Sequence, residues 1–341
     1  MRGTVISSNG VDFRLPDTGG VEGVRLEVDF PLGPTDLEFR RSGGEWALHL
    51  PRPAVDRLEY RLTLRSAGGT AWTRDPENPA HVANPFGDRS EIRFPEYRPP
   101  VWVSRPESGT RLRVGTQAGG LGDPVPLTVW SPDGLGPRTP APLLLANDGT
   151  DMATRGSLLR WATQAANRLR FRVALLDPAD GRRDSWYAAS SDYADHLSAV
   201  ILPAVRERFA VSATVGLGAS LGALSMLWAH RRHPGLLQGL ALQSGSYFTA
   251  VHDPQESGYS RFGHICAAVR ELTQGPARQT TPVLVTCGAV EENRANNEQM
   301  ARALAAQGYR VDLRLVPDAH TMIGWRDAWS PGVEQLLEQV S

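Results

Sequence analysis

The chain has 341 residues, of which 41% are hydrophobic and 21% charged, and its formal net charge is −1. That suits an ordinary globular protein of two domains, or of one large domain with an appendage, with ample apolar material for a core. The near-neutral balance, without a basic run or a charged tail, argues against nucleic acid and anionic membrane as partners.

Met1–Ser8 shows no apolar signal core, and no stretch approaches the length of a membrane span. The two cysteines, Cys266 and Cys287, fit a reducing compartment and read as buried small hydrophobes without a metal partner. The expected location is cytoplasmic.

Short alternating runs fill the first part of the chain: Arg25–Phe30, Asp36–Arg40, Glu45–Leu50, Leu58–Leu64 and Glu91–Phe94. Period-two runs with Gly, Pro and Asp between them predict a β-sandwich over residues 1–104. Its boundary is placed in or just after the Pro-rich, aromatic stretch Tyr97–Val103.

From about Gly109 the pattern changes. Arg111–Val114 and Val125–Trp130 read as opening strands, and Ala141–Asn147 is a continuous apolar run, as in a strand covered on both faces. Helices at 157–169, 192–208, 265–272, 295–307 and 333–340 then alternate with strands at 171–176, 239–243, 282–287 and 310–316. Such alternation predicts a doubly wound, mostly parallel sheet over residues 105–341.

Between the second helix and the strand at 239–243 lies Gly218-Ala219-Ser220-Leu221-Gly222. The apolar, partly β-branched run Ala213–Leu217 before it reads as a strand, and Ala223–His230 after it as a helix. A strand that turns sharply into a helix between two glycines lifts the serine to the tip, which is the nucleophile elbow of an α/β-hydrolase.

A serine hydroxyl needs a base beside it, and the base needs an orienting acid. In the α/β-hydrolase order the acid follows the serine and the histidine comes last. Glu291 and Glu292 both stand just past the strand ending near Cys287-Gly288, and His320 follows the final strand. Of the other histidines, His230 and His233 are expected at the surface or C-terminal end of the elbow helix. Asp318 is too near His320 along the chain to be the natural orienter.

An oxyanion needs two N–H donors. Leu221, next after the serine, is one candidate. Thr150, in Asn147-Asp148-Gly149-Thr150-Asp151, is the other, with Asp151 the near alternative. This chemistry requires no cofactor.

Several of these stretches together resemble the enterochelin esterase branch of the esterase D-type family. They are Asp148-Gly149 after an apolar strand, the elbow, Gln243-Ser244-Gly245-Ser246, Gly288 followed by Glu291, and His320 followed by Trp325-Arg326. Gly43–Trp46, Glu59–Arg61, Arg74–Pro79 and Asn84–Gly87 are similar to the immunoglobulin-like module that precedes the catalytic domain in that branch.

The resemblance implies a cytoplasmic serine esterase with Ser220 as nucleophile, His320 as base and Glu291 as acid. It implies a catecholate siderophore ester or lactone, of the enterobactin kind, as small-molecule substrate. The branch often has Gly-Gly-His before its base, where this chain has Asp318-Ala319-His320.

Arg182, Arg183 and Arg326 are candidates for holding an anionic or catecholate group, and Trp186, Tyr187, Tyr247 and Phe248 for stacking on an aromatic ring. The competing readings are a feruloyl-type esterase or acyltransferase on the same fold, and a glycan-binding protein that uses the sandwich. The expected assembly is a monomer or homodimer.

Overall fold

Alternation shapes the first strands. In Gly10–Pro16, Val11, Phe13 and Leu15 turn inward while Arg14 faces solvent, and the strand pairs antiparallel with Glu45–Pro51, setting Phe13 opposite Leu48. The structure, a computed structural model, describes residues 3–32 and 36–341. Met1 and Arg2, the start of the segment read for a signal core, lie outside the described residues.

The chain divides into two compact units. The first runs up to Arg98 and takes in two later loops, Gly288–Glu292 and Pro317–Thr321. The second holds Pro99–Cys287, Asn293–Val316 and Met322–Ser341.

Among its described residues the first unit has two antiparallel sheets. One runs Val5–Ser7, Gly10–Pro16, Glu45–Pro51, Arg40–Ser42. The other runs Val21–Glu27, Arg57–Ser66, Arg89–Arg93, His81–Val82, with Gly69–Thr73 also paired to Arg57–Ser66. Their inner faces share one core, in which Phe13 meets Tyr60 edge-on at 5.2 Å. The run Asp36–Arg40, expected as a strand, forms only an isolated bridge from Glu38 to Arg25 before the short strand Arg40–Ser42.

Among the described residues the second unit holds one eight-stranded sheet. Its strands are β1 (Thr110–Arg113), β2 (Leu127–Ser131), β3 (Ala141–Asn147), β4 (Arg172–Leu176), β5 (Val211–Ala219), β6 (Gly239–Gln243), β7 (Pro282–Gly288) and β8 (Arg310–Val316). They lie in the order β1-β2-β4-β3-β5-β6-β7-β8. The pairs β4–β3, β3–β5, β5–β6 and β6–β7 are parallel, and the β1–β2 and β2–β4 pairs are antiparallel.

The apolar run in β3 has a direct cause. Leu143 and Leu145 enter one hydrophobic core, Leu144 and Ala146 a different one, so the strand is covered on both faces. This is the doubly wound α/β-hydrolase architecture.

The helix expected over 192–208 is interrupted. Ser191–His196 and Leu202–Arg208 are α-helical, and Leu197–Ile201 between them is a π-helical turn. Pro203, just past the turn, has no N–H to give the carbonyl one turn back, so the regular ladder cannot run through. His230, expected at the surface or the C-terminal end of the elbow helix, lies in its last turn but is buried, with its ring nitrogens 3.2 Å from the carbonyls of Leu237 and Gln279. Cys287 is buried as expected, but Cys266 only partly. No described helix is long and apolar enough to cross a membrane.

Candidate active site

The elbow is built on two glycines, one with no room for a side chain and one with little. A Cβ on Gly218 would sit 2.2 Å from the Gly222 carbonyl oxygen. A Cβ on Gly222 would press on Asn147 Cβ at 3.3 Å. Between them Ser220 adopts φ 56° and ψ −125°, a left-handed backbone that an L residue holds only where its surroundings force it.

The surroundings do so. Ser220 N–H donates to the Gln243 carbonyl at 2.9 Å, and Ser220 C=O accepts from the N–H of Ser246 at 3.2 Å and of Ala223 at 3.1 Å. The helix Leu221–Arg232 starts immediately after. Leu221 is its first residue, so its N–H belongs to the group that a helix leaves without an internal partner, at the positive end of the dipole. Ser220 Oγ lies 3.1 Å from Ser246 Oγ. In the sequence Ser246 is only the last residue of the stretch Gln243–Ser246, and nothing local gives it a role.

At the end of β3, Asn147 braces the elbow helix. Its Nδ2 donates to Gly222 C=O at 3.2 Å and its Oδ1 accepts from Tyr193 O–H at 2.8 Å. A polar residue closing an otherwise apolar strand was the available signal for it. Gly149 has no room for a side chain, since a Cβ would be 2.5 Å from Leu175 Cβ.

Thr150, expected as an oxyanion donor, is engaged elsewhere. Its N–H donates to Asp177 Oδ1 at 2.8 Å and its hydroxyl to Asp177 Oδ2 at 2.6 Å. A carboxylate that already takes both donors leaves that N–H with no spare hydrogen for an oxyanion.

The acid and base candidates meet within the first unit. Glu291, with a fully buried side chain, brings Oε2 to 2.6 Å from His320 Nδ1. Its Oε1 accepts the Gly288 N–H. Gly288 has to be glycine, because a Cβ there would lie 2.5 Å from the Asp318 carbonyl oxygen. A neutral imidazole that donates Nδ1–H to this carboxylate keeps its lone pair on Nε2. Glu292, left open on sequence, is exposed. The Asp318 carboxylate goes to Arg57, Thr321 and its neighbour's N–H.

Residues 118–317 match the model of the family described as "Putative esterase". The chain belongs to that esterase family. As a member it is a carboxylic ester hydrolase. The esterase shares its fold along its whole length with the enterobactin esterase FES from Shigella flexneri in the presence of enterobactin: TM-score 0.76, 17% identity, 100% of this chain and 96% of that one. The ferric enterobactin esterase from Salmonella typhimurium gives TM-score 0.74 at 18% identity, over 99% of this chain and 95% of that one. A ferulic acid esterase gives TM-score 0.54 at 15% identity, over 68% of this chain and 98% of that one. No curated protein matches the esterase in sequence.

The expected substrate contacts of the esterase are engaged in packing and ion pairs within the protein. Trp186 is buried and stacks on Tyr193 at 5.8 Å. Tyr247 is fully buried, its ring filling the space a side chain on Gly245 would take. Arg326 is buried, with Nε on Asp327 at 2.7 Å. Arg183 is bidentate to Asp148 at 2.8 Å on both bonds, so its fork is filled by the protein's own carboxylate. Burial works against the Arg183 charge, yet the hydrogen bonds and charge of Asp148 hold its pKa above the usual arginine value. Apolar and ionic side chains just past a strand end are drawn into the core as readily as into a pocket.

Proposed function

We propose that the protein is a serine esterase that cleaves an ester or lactone through Ser220, His320 and Glu291, and that its substrate is a catecholate siderophore of the enterobactin trilactone type. The observation that carries the reading is Ser220 at the tip of a turn whose backbone would not be adopted without a reason. The Glu291–His320 bond supports the rest.

In this mechanism Ser220 Oγ attacks the ester carbonyl carbon and gives its proton to His320 Nε2. Glu291 stabilises the imidazolium through Nδ1–H, and the Leu221 N–H stabilises the tetrahedral oxyanion. The intermediate collapses, the C–O bond to the alcohol breaks, and the departing oxygen takes the proton from Nε2. Water, deprotonated by Nε2, then attacks the acyl-enzyme; the serine oxygen leaves and is reprotonated.

The substrate choice is supported by likeness to enterobactin esterases over both units, whereas the ferulic acid esterase covers 68% of the chain. A cytoplasmic reaction is supported by the two free cysteines, which stay reduced in such a compartment.

Purified protein should hydrolyse p-nitrophenyl butyrate and an enterobactin-type trilactone, and Ser220→Ala should abolish both. Undiminished turnover in Ser220→Ala would remove the nucleophile assignment. Preference for methyl ferulate over the trilactone would replace the substrate with a hydroxycinnamate ester.

A further inference from the structure

Arg57, in the sandwich strand Arg57–Ser66, is 1% exposed, and an arginine is buried only where partners compensate its desolvation. Two partners belong to the sandwich sheet: Nη2 donates to Glu59 Oε1 at 2.6 Å and Nη1 to Glu91 Oε1 at 3.1 Å. The other two flank His320: Nε donates to Asp318 Oδ2 at 3.2 Å and Nη2 to Thr321 Oγ1 at 2.8 Å.

The same loop has further anchors. Asp56 N–H donates to Pro317 C=O at 2.8 Å, and Ala319 lies in the sandwich core. Asp318 Oδ1 accepts from Ala319 N–H at 2.7 Å and from the Thr321 hydroxyl at 3.1 Å, closing the loop on itself. So the four residues around His320 are tied into the sandwich, while the imidazole goes to Glu291.

We infer that Arg57 is a positioning residue for ester hydrolysis: anchored in the sandwich, its guanidinium fixes the loop that carries His320 and so aims the imidazole. The inference rests on the reading of His320 as the base. A planar fork reaches three carboxylates and a hydroxyl at once; a lysine, a point charge with three donors, would reach fewer of them. Misplacing a catalytic group by about 1 Å costs up to about 10²-fold in rate.

The test uses the full chain with Arg57→Met, Arg57→Lys, Thr321→Val and His320→Ala, assayed on p-nitrophenyl butyrate across pH while unfolding is followed. In folded Arg57→Met, kcat should fall at least about tenfold with KM within about twofold, and the kcat–pH profile should move, because the base no longer has one fixed setting. Arg57→Lys should recover part of the loss, and Thr321→Val should lose about two- to fivefold. Wild-type kcat and pH profile in folded Arg57→Met overturn the inference. Should that variant not fold, unchanged kcat in both Arg57→Lys and Thr321→Val overturns it instead. Retained activity in His320→Ala overturns the base assignment and the inference with it; activity lost there but intact in the Arg57 variants removes the inference alone.

Discussion

Glu291 holds His320 from a carboxylate that is itself fixed at both ends, with Oε2 2.6 Å from Nδ1 and Oε1 on the Gly288 N–H. An amide in its place keeps the shape but loses the charge that stabilises an imidazolium, and it can present N–H₂ to Nδ1 and so favour the wrong tautomer. Glu291→Gln should therefore lower kcat by about 10²–10⁴-fold, while exposed Glu292→Gln stays within about twofold. Steady-state turnover of p-nitrophenyl butyrate decides, and a large loss confined to Glu292→Gln would transfer the role.

Strain at the elbow gives a prediction of opposite sign for stability and activity. Ser220 holds φ 56°, which costs an L side chain on the order of 1–3 kcal/mol and costs glycine almost nothing. Ser220→Gly should be inactive yet lose none of its stability, gaining about 1 kcal/mol if the glycine's freer unfolded chain offsets only part of the relief. Ser220→Ala should be inactive without that gain. Urea unfolding of the three proteins checks it; Ser220→Gly falling below Ser220→Ala would show that the turn is unstrained.

Much of the second unit was readable from residues alone. Strands Ala141–Asn147 and Gly239–Gln243 fall where the apolar runs predict, because burial on both faces writes itself into the local sequence. The elbow was legible for the same reason: two glycines and a serine have one steric solution between a strand and a helix. What depends on distant neighbours was not. Whether Trp186 and Tyr247 line a pocket or fill the core is decided by Tyr193 and Gly245, which no local pattern identifies. Arg57 stands just before the alternating run Leu58–Leu64, and its partners Asp318 and Thr321 are 261 and 264 positions away.

Arg183 separates a substrate role from a structural one. Its two 2.8 Å bonds hold Asp148, whose left-handed backbone (φ 53°) opens the turn beside the elbow. Arg183→Met should leave that carboxylate without its fork and lower stability by about 1–3 kcal/mol. KM for an enterobactin-type catecholate and for uncharged p-nitrophenyl butyrate should then move together. A rise in KM for the catecholate alone would restore Arg183 as an anion-binding residue.

The Arg57 cluster also sets a pH dependence of stability. One buried guanidinium faces three carboxylates, Glu59, Glu91 and Asp318, and among the described residues only Glu91 has a second cation, the half-exposed Arg93. Burial pushes the Asp318 carboxyl up to about 6, with Glu59 adding to the rise and Arg57 and the Ala319 N–H offsetting part of it. The folded state thus keeps a proton that the unfolded chain has released between the ordinary aspartate value and about 6. Where the folded state binds the extra proton, stability falls as pH rises. Between about pH 4 and pH 7 this group should remove up to about 3 kcal/mol, all of it present as stability on the acid side. Asp318→Asn has no proton to lose, so its stability–pH curve should be flatter over that window. Urea midpoints of wild type and Asp318→Asn at a series of pH values measure the difference; parallel curves would show that Asp318 is ionised throughout, with Arg57 fully compensating its burial.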